Sequence, residues 1–72
     1  MNTVGKRLKA WRKSKALTLE EVAGIIDATE WDLLSIENDI CLPSFNTLNK
    51  LKIFTDIDFR WFLFGEGSGL QV

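Results

Sequence analysis

TLEEVAGIIDATEWDLLSIEND, from Thr18 to Asp39, predicts two short helices joined by a tight turn. Thr18 is suited to cap the first. Glu21, three residues on, completes a capping box in which the two residues satisfy each other's backbone N–H groups. Val22, Ala23 and Ile26 recur at helical spacing and form its buried face. Asp27 and Ala28 make the turn. Thr29 caps the second helix with Asp32 three residues later, and Leu33 and Ile36 face inward before Asn38 and Asp39 end it.

Working outward, Val4, Leu8 and Trp11 fall at i, i+4 and i+7, one stripe of a first helix that Thr3 can cap. After the central pair, Ile40-Cys41-Leu42 forms a loop closed by Pro43. Ser44 then caps a fourth helix, in which Phe45, Leu48, Leu51 and Phe54 recur every three residues. Asp58 starts a short fifth helix, FRWFLF, which Gly65 stops. No strand pattern or internal repeat interrupts this series. The expected architecture is all-α: five short helices packed compactly over residues 1–67, followed by a flexible tail at 68–72 with linker composition.

Seventy-two residues with a hydrophobic fraction of 46 % are enough for one small core. No apolar run approaches the ~20 residues that span a bilayer, and no signal peptide opens the chain. A cytoplasmic protein away from membranes is expected. Cys41 is a lone thiol with no base beside it, a chain without histidine offers no zinc set, and no nucleophile–base arrangement has support in the sequence. The run Gly65-Glu66-Gly67-Ser68-Gly69 opens no helix that could cradle phosphate. We expect neither an enzyme nor a bound metal or cofactor.

Several fragments, in order, resemble the phage-repressor-like (Xre/Cro type) helix-turn-helix family. They are RLKAWRKSKALTLEEVA, then Ile36-Glu37-Asn38, then Pro43-Ser44, then WFLFGEG. The likeness runs without a gap from Val4 to Gly67. It implies a compact five-helix, repressor-like DNA-binding domain whose third helix enters the major groove of double-stranded DNA. Carried over by position, Glu30, Trp31, Asp32 and Ser35 would read bases, and Leu19 would sit beside them. Thr18 and Asn38 would approach phosphates. The resemblance also implies a salt bridge between Arg12 and Glu37, joining the first and third helices. It further implies a homodimer through the fifth helix, with Phe59, Phe62 and Phe64 as the dimerising residues.

The charge pattern points elsewhere. Residues 18–39 hold seven acids (Glu20, Glu21, Asp27, Glu30, Asp32, Glu37, Asp39) and neither Lys nor Arg. A DNA-binding surface gains most of its affinity by neutralising phosphates with cations. Leu19 stands where the family favours Gln, and Ile40, Cys41 and Leu42 replace a loop that in many members is basic. Six of the nine cations (Lys6, Arg7, Lys9, Arg12, Lys13, Lys15) instead crowd the first fifteen residues, as a contact face or as a solvated helix surface. Each departure also has a structural reading: Glu30 favours the helix dipole, Asp32 completes a cap, and Leu19 extends the core stripe.

Two functions therefore stay open. One is a small transcription regulator that binds operator DNA. The other is a helix-turn-helix whose acidic, apolar face docks another DNA-binding regulator, as an anti-repressor or modulator would. Both use one candidate set: Thr18, Leu19, Thr29, Glu30, Trp31, Asp32, Leu34, Ser35, Asn38, Ile40 and Leu42.

Overall fold

Every helix begins at a residue whose side chain accepts from the first turn's free N–H groups, as the sequence predicts. In the computed structural model, which describes residues 3–67, the elements are α1 (Val4–Ser14), α2 (Leu19–Ile26), α3 (Glu30–Glu37), α4 (Phe45–Phe54) and α5 (Phe59–Phe64). Their caps are Thr3, Thr18, Thr29, Ser44 and Asp58. Each such cap contributes about 1 kcal/mol. The box at Thr18 is complete: Glu21 N–H donates to Thr18 Oγ1 at 3.0 Å, and Thr18 N–H donates to Glu21 Oε1 at 2.9 Å. At Thr29 only the first half forms, from Asp32 N–H at 3.1 Å.

The first three helices end alike. Ala16, Asp27 and Asp39 each adopt left-handed backbone, with φ of 57°, 54° and 61°. The next residue's N–H then turns back to a carbonyl five positions earlier: Leu17 to Arg12 at 3.1 Å, Ala28 to Ala23 at 2.9 Å, and Ile40 to Ser35 at 2.9 Å. Such a closure satisfies orphan carbonyls and reverses the chain sharply, which is how three helices fit within so few residues. Glycine would take these angles without strain, yet none of the three positions has one.

The five helices enclose a core of Leu8, Trp11, Val22, Ala23, Ile26, Leu33, Ile36, Leu51, Ile57, Trp61 and Phe62. The domain measures 28 × 23 × 19 Å. No helix among the described residues is long and apolar enough to cross a membrane. α1 crosses α3 at Gly5, where a Cβ would overlap the Ile36 carbonyl oxygen and lie 2.6 Å from Asp39 Oδ1. Only glycine permits that approach.

The three-residue repeat on α4 does not make a single buried face. Leu51 is buried and Leu48 half-buried, but Phe45 and Phe54 are exposed. An α-helix advances about 100° per residue, so a repeat of three slips about 60° backward at each step. Phe45 and Phe54 therefore lie on opposite flanks of the Leu48–Leu51 line.

Candidate nucleic-acid and protein interface

α3 is held from its inner side. Leu33 and Ile36 enter the core, and Glu37, almost fully buried, meets Arg12 from α1. Arg12 Nε donates to Glu37 Oε2 at 2.8 Å and Nη2 donates to Oε1 at 3.0 Å, a two-point fork. Arg12 Nη1 also donates to the Leu17 carbonyl at 2.9 Å. The bond to Glu37 raises the Arg12 pKa against the opposing effect of burial. This is the joint between the first and third helices that the family resemblance implied. Its effect is to set the rotation of α3 about its axis.

That rotation decides what faces water. Glu30, Trp31, Asp32 and Leu34 point outward, with Trp31 69 % exposed and Leu34 37 %. The returning chain extends the patch with Ile40 at 70 % and Leu42 at 78 %. Trp31 and Leu34 are three residues apart on one helix side. Ile40 lies against the next turn, where its N–H reaches the Ser35 carbonyl. Leu42 and Asp32 then share a shallow groove of about 220 Å³ between α3 and the start of α4, with Asp27, Ile36 and Lys50 also on its walls.

Ser35 does not belong to this surface. It is only 7 % exposed, because Ile40 and Cys41 fold back over it as the helix ends, so its reading role is withdrawn. Leu19 is half-buried and packs against the core. The Thr18 and Thr29 hydroxyls are engaged as caps, and Asn38 is exposed at the C-terminal end of α3.

The basic cluster divides into two populations. Arg7 is buried, and its Nε and Nη2 donate to the carbonyls of Phe62 at 2.7 Å and Leu63 at 3.2 Å, closing the end of α5. Arg12 is committed to Glu37. Lys15 pairs with Asp56 at 2.5 Å, and Trp11 Nε1 donates to the other Asp56 oxygen at 3.2 Å. The Lys15 and Trp11 bonds hold the Asp56 carboxyl below its ordinary range, with Lys15 the main cause. Lys6, Lys9 and Lys13 remain exposed, with no ion pair among the described residues. At i, i+3 and i+7 they form one stripe on the side of α1 that faces away from the core. α3 packs at Gly5 and Arg12, so Lys6 and Lys13 stand away from it, while Lys9, four residues after Gly5 and three before Arg12, borders that contact.

The three aromatic residues expected at a dimer interface separate. Phe62 is fully buried in the core and is withdrawn from that role. Phe59 is half-buried, stacks edge-on against Phe62 with ring centres 5.8 Å apart, and lines a groove of about 350 Å³ with Phe45, Leu48 and Lys52. Phe64 is exposed on the other side of α5. A six-residue helix that buries Trp61 and Phe62 cannot present Phe59 and Phe64 on one face.

Sequence reasoning missed two residues that shape the site, Arg7 and Gly5. Gly5 left a signal, since a glycine inside a helical pattern marks close packing or another local demand. Arg7 left none, because its carbonyl partners come from a distant helix end. No protein-family model, curated protein or solved structure matches the chain.

Proposed function

We propose that this protein is a small helix-turn-helix transcription regulator that binds operator DNA as a dimer through the start of α3. One observation carries the reading. The first turn of α3 projects Glu30, Trp31 and Asp32 into solvent from a helix whose opposite side is clamped by the Arg12–Glu37 fork. A rigid helix with a bare N-terminal turn is the shape that enters a major groove. There the carboxylates of Glu30 and Asp32 accept from cytosine amino groups, and the Trp31 ring covers thymine methyls. The N-termini of α2 and α3 offer main-chain N–H groups to phosphates. Lys6, Lys9 and Lys13 add attraction at longer range. Dimerisation uses the apolar surface left open on α4 and α5: Phe45 and Phe59 at their groove, or Phe64 beyond it.

With so few cations near the reading face, affinity is low and its salt dependence shallow. The test is electrophoretic mobility of genomic and random fragments across a salt series. The reading requires a complex that weakens as salt rises and that discriminates between sequences. Replacing Glu30 and Asp32 together by Arg should strengthen nonspecific binding and steepen the salt slope. Absence of any complex at low salt refutes DNA binding.

A further inference from the structure

Trp31, Leu34, Ile40 and Leu42 form an open apolar surface on a domain whose core is already filled. Trp31, Ile40 and Leu42 stand largely in water beyond what closing the fold requires, and apolar side chains so exposed on a small protein mark a place where something docks. The charges around it select what that is. Glu30 and Asp32 border the patch, and Asp27 stands across the groove from Leu42. The one cation on that groove, Lys50, is turned to α2: its ammonium lies 3.1 Å from the Asp27 carbonyl oxygen and 3.7 Å from the Asp27 carboxylate.

We infer that the outer face of α3 and the Ile40–Leu42 loop dock a cationic polypeptide with an apolar side, the chemistry of a basic helix or loop on another nucleic-acid-binding protein. A second copy of this chain could answer only with its α4–α5 surface, around Phe45, Lys52 and Phe59, in a head-to-tail contact that closes no dimer and that takes up the surface assigned above to dimerisation. Pairing the face with itself about a two-fold axis would bring Glu30 and Asp32 only further carboxylates and the committed Lys50. Pairing it with α1 of another copy would offer Lys6, Lys9 and Lys13, but a stripe that brings no apolar side chains for Trp31 and Leu42. A partner with alternating Arg or Lys and Leu-type residues satisfies both demands. Its alkyl stems and apolar groups cover the patch, and its cations meet the rim carboxylates.

This inference goes beyond DNA binding and stands without it. Where both hold, the two ligands compete for one face, so the polypeptide would release the protein from DNA.

Trp31 reports occupancy directly, because Trp11 and Trp61 are both buried and only Trp31 is open to a soluble quencher. The experiment follows acrylamide quenching of tryptophan fluorescence on adding a synthetic Leu/Arg amphipathic peptide, the same peptide with Glu for Arg, or duplex DNA. Trp31→Ala, which should keep its helicity, identifies the quenchable emission. The Leu/Arg peptide should protect Trp31 and the Glu version should not. Asp32→Lys and Leu42→Ser, both exposed positions, should each weaken the peptide at least about tenfold with unchanged circular dichroism. Equal protection by the Glu peptide, no protection at all, or affinity unchanged in both variants would overturn the inference. Protection that grows with protein concentration alone would overturn it too, making a second copy the occupant. Protection by duplex but not by peptide would overturn it and leave the DNA reading intact. Protection by peptide but not by duplex would support it and remove the DNA reading.

Discussion

The inner and outer sides of α3 differ in how completely their groups are satisfied. Inside, Leu33 and Ile36 are packed, Glu37 receives two charge-assisted hydrogen bonds, and Gly5 lets α1 approach to backbone contact. Outside, one Trp, one Leu and two free carboxylates stand in water, joined by Ile40 and Leu42. The inner side is finished by the fold. The outer side is left open to solvent. One eight-residue helix thus separates residues that hold the domain together from exposed residues to which we assign recognition as a proposal.

The inner side of α3 is most vulnerable at Arg12. Arg12→Ala would strand the Glu37 carboxylate in the interior, a loss of roughly 3–5 kcal/mol. Native domains hold only about 5–15 kcal/mol in total, and one of this size lies near the lower end. Urea unfolding monitored by circular dichroism should therefore find the variant largely unfolded at low denaturant. Replacing the pair together, Arg12→Met with Glu37→Leu, should recover most of the loss, because no buried charge then lacks a partner.

A smaller change sharpens the contrast by strengthening the inner side. Ala16 holds left-handed backbone at the end of α1, one residue before the carbonyl that Arg12 also grips. Ala16→Gly should remove that strain and raise stability by roughly 0.5–1 kcal/mol, net of the extra freedom glycine has when unfolded. Thermal melting should show a higher midpoint with recognition unaffected.

The smallest effect concerns Asp56. Bonds from Lys15 and Trp11 depress its folded pKa. A depressed carboxyl stabilises the fold above its unfolded pKa, and that contribution disappears as pH falls through the folded pKa. Because Lys15 and Asp56 are both solvent-exposed, the contribution is slight. Melting curves of wild type and Asp56→Asn should differ a little at neutral pH and converge in strong acid.

Most of the fold was legible from local chemistry. Thr3, Thr18, Thr29, Ser44 and Asp58 act on N–H groups within a few residues, so sequence spacing suffices to find them. The errors arose where distant segments meet. Ser35 lies one turn from Trp31 and has the composition of a reading residue, but the left-handed turn at Asp39 folds Ile40 and Cys41 over it. The three-residue repeat on α4 was legible, but its burial was not, because the helix winds it around its axis. Phe62 and Phe64 are only two residues apart, yet they have opposite fates in a helix too short for two apolar faces. Half of the basic cluster at the start of the chain is used internally by Arg7, Arg12 and Lys15, which charge counting alone does not reveal. The exposed Trp31, Leu34, Ile40 and Leu42 were legible as a group, since no helical stripe required any of them.

The most direct test of the outer face as the recognition surface is a backbone amide titration by NMR with duplex DNA at low salt. The account predicts shifts concentrated at Thr29 to Leu34 and the Ile40–Leu42 loop, with α1 little changed. Shifts confined to the amides around Lys6, Lys9 and Lys13 would contradict it, because DNA would then be held by the basic stripe and not by α3.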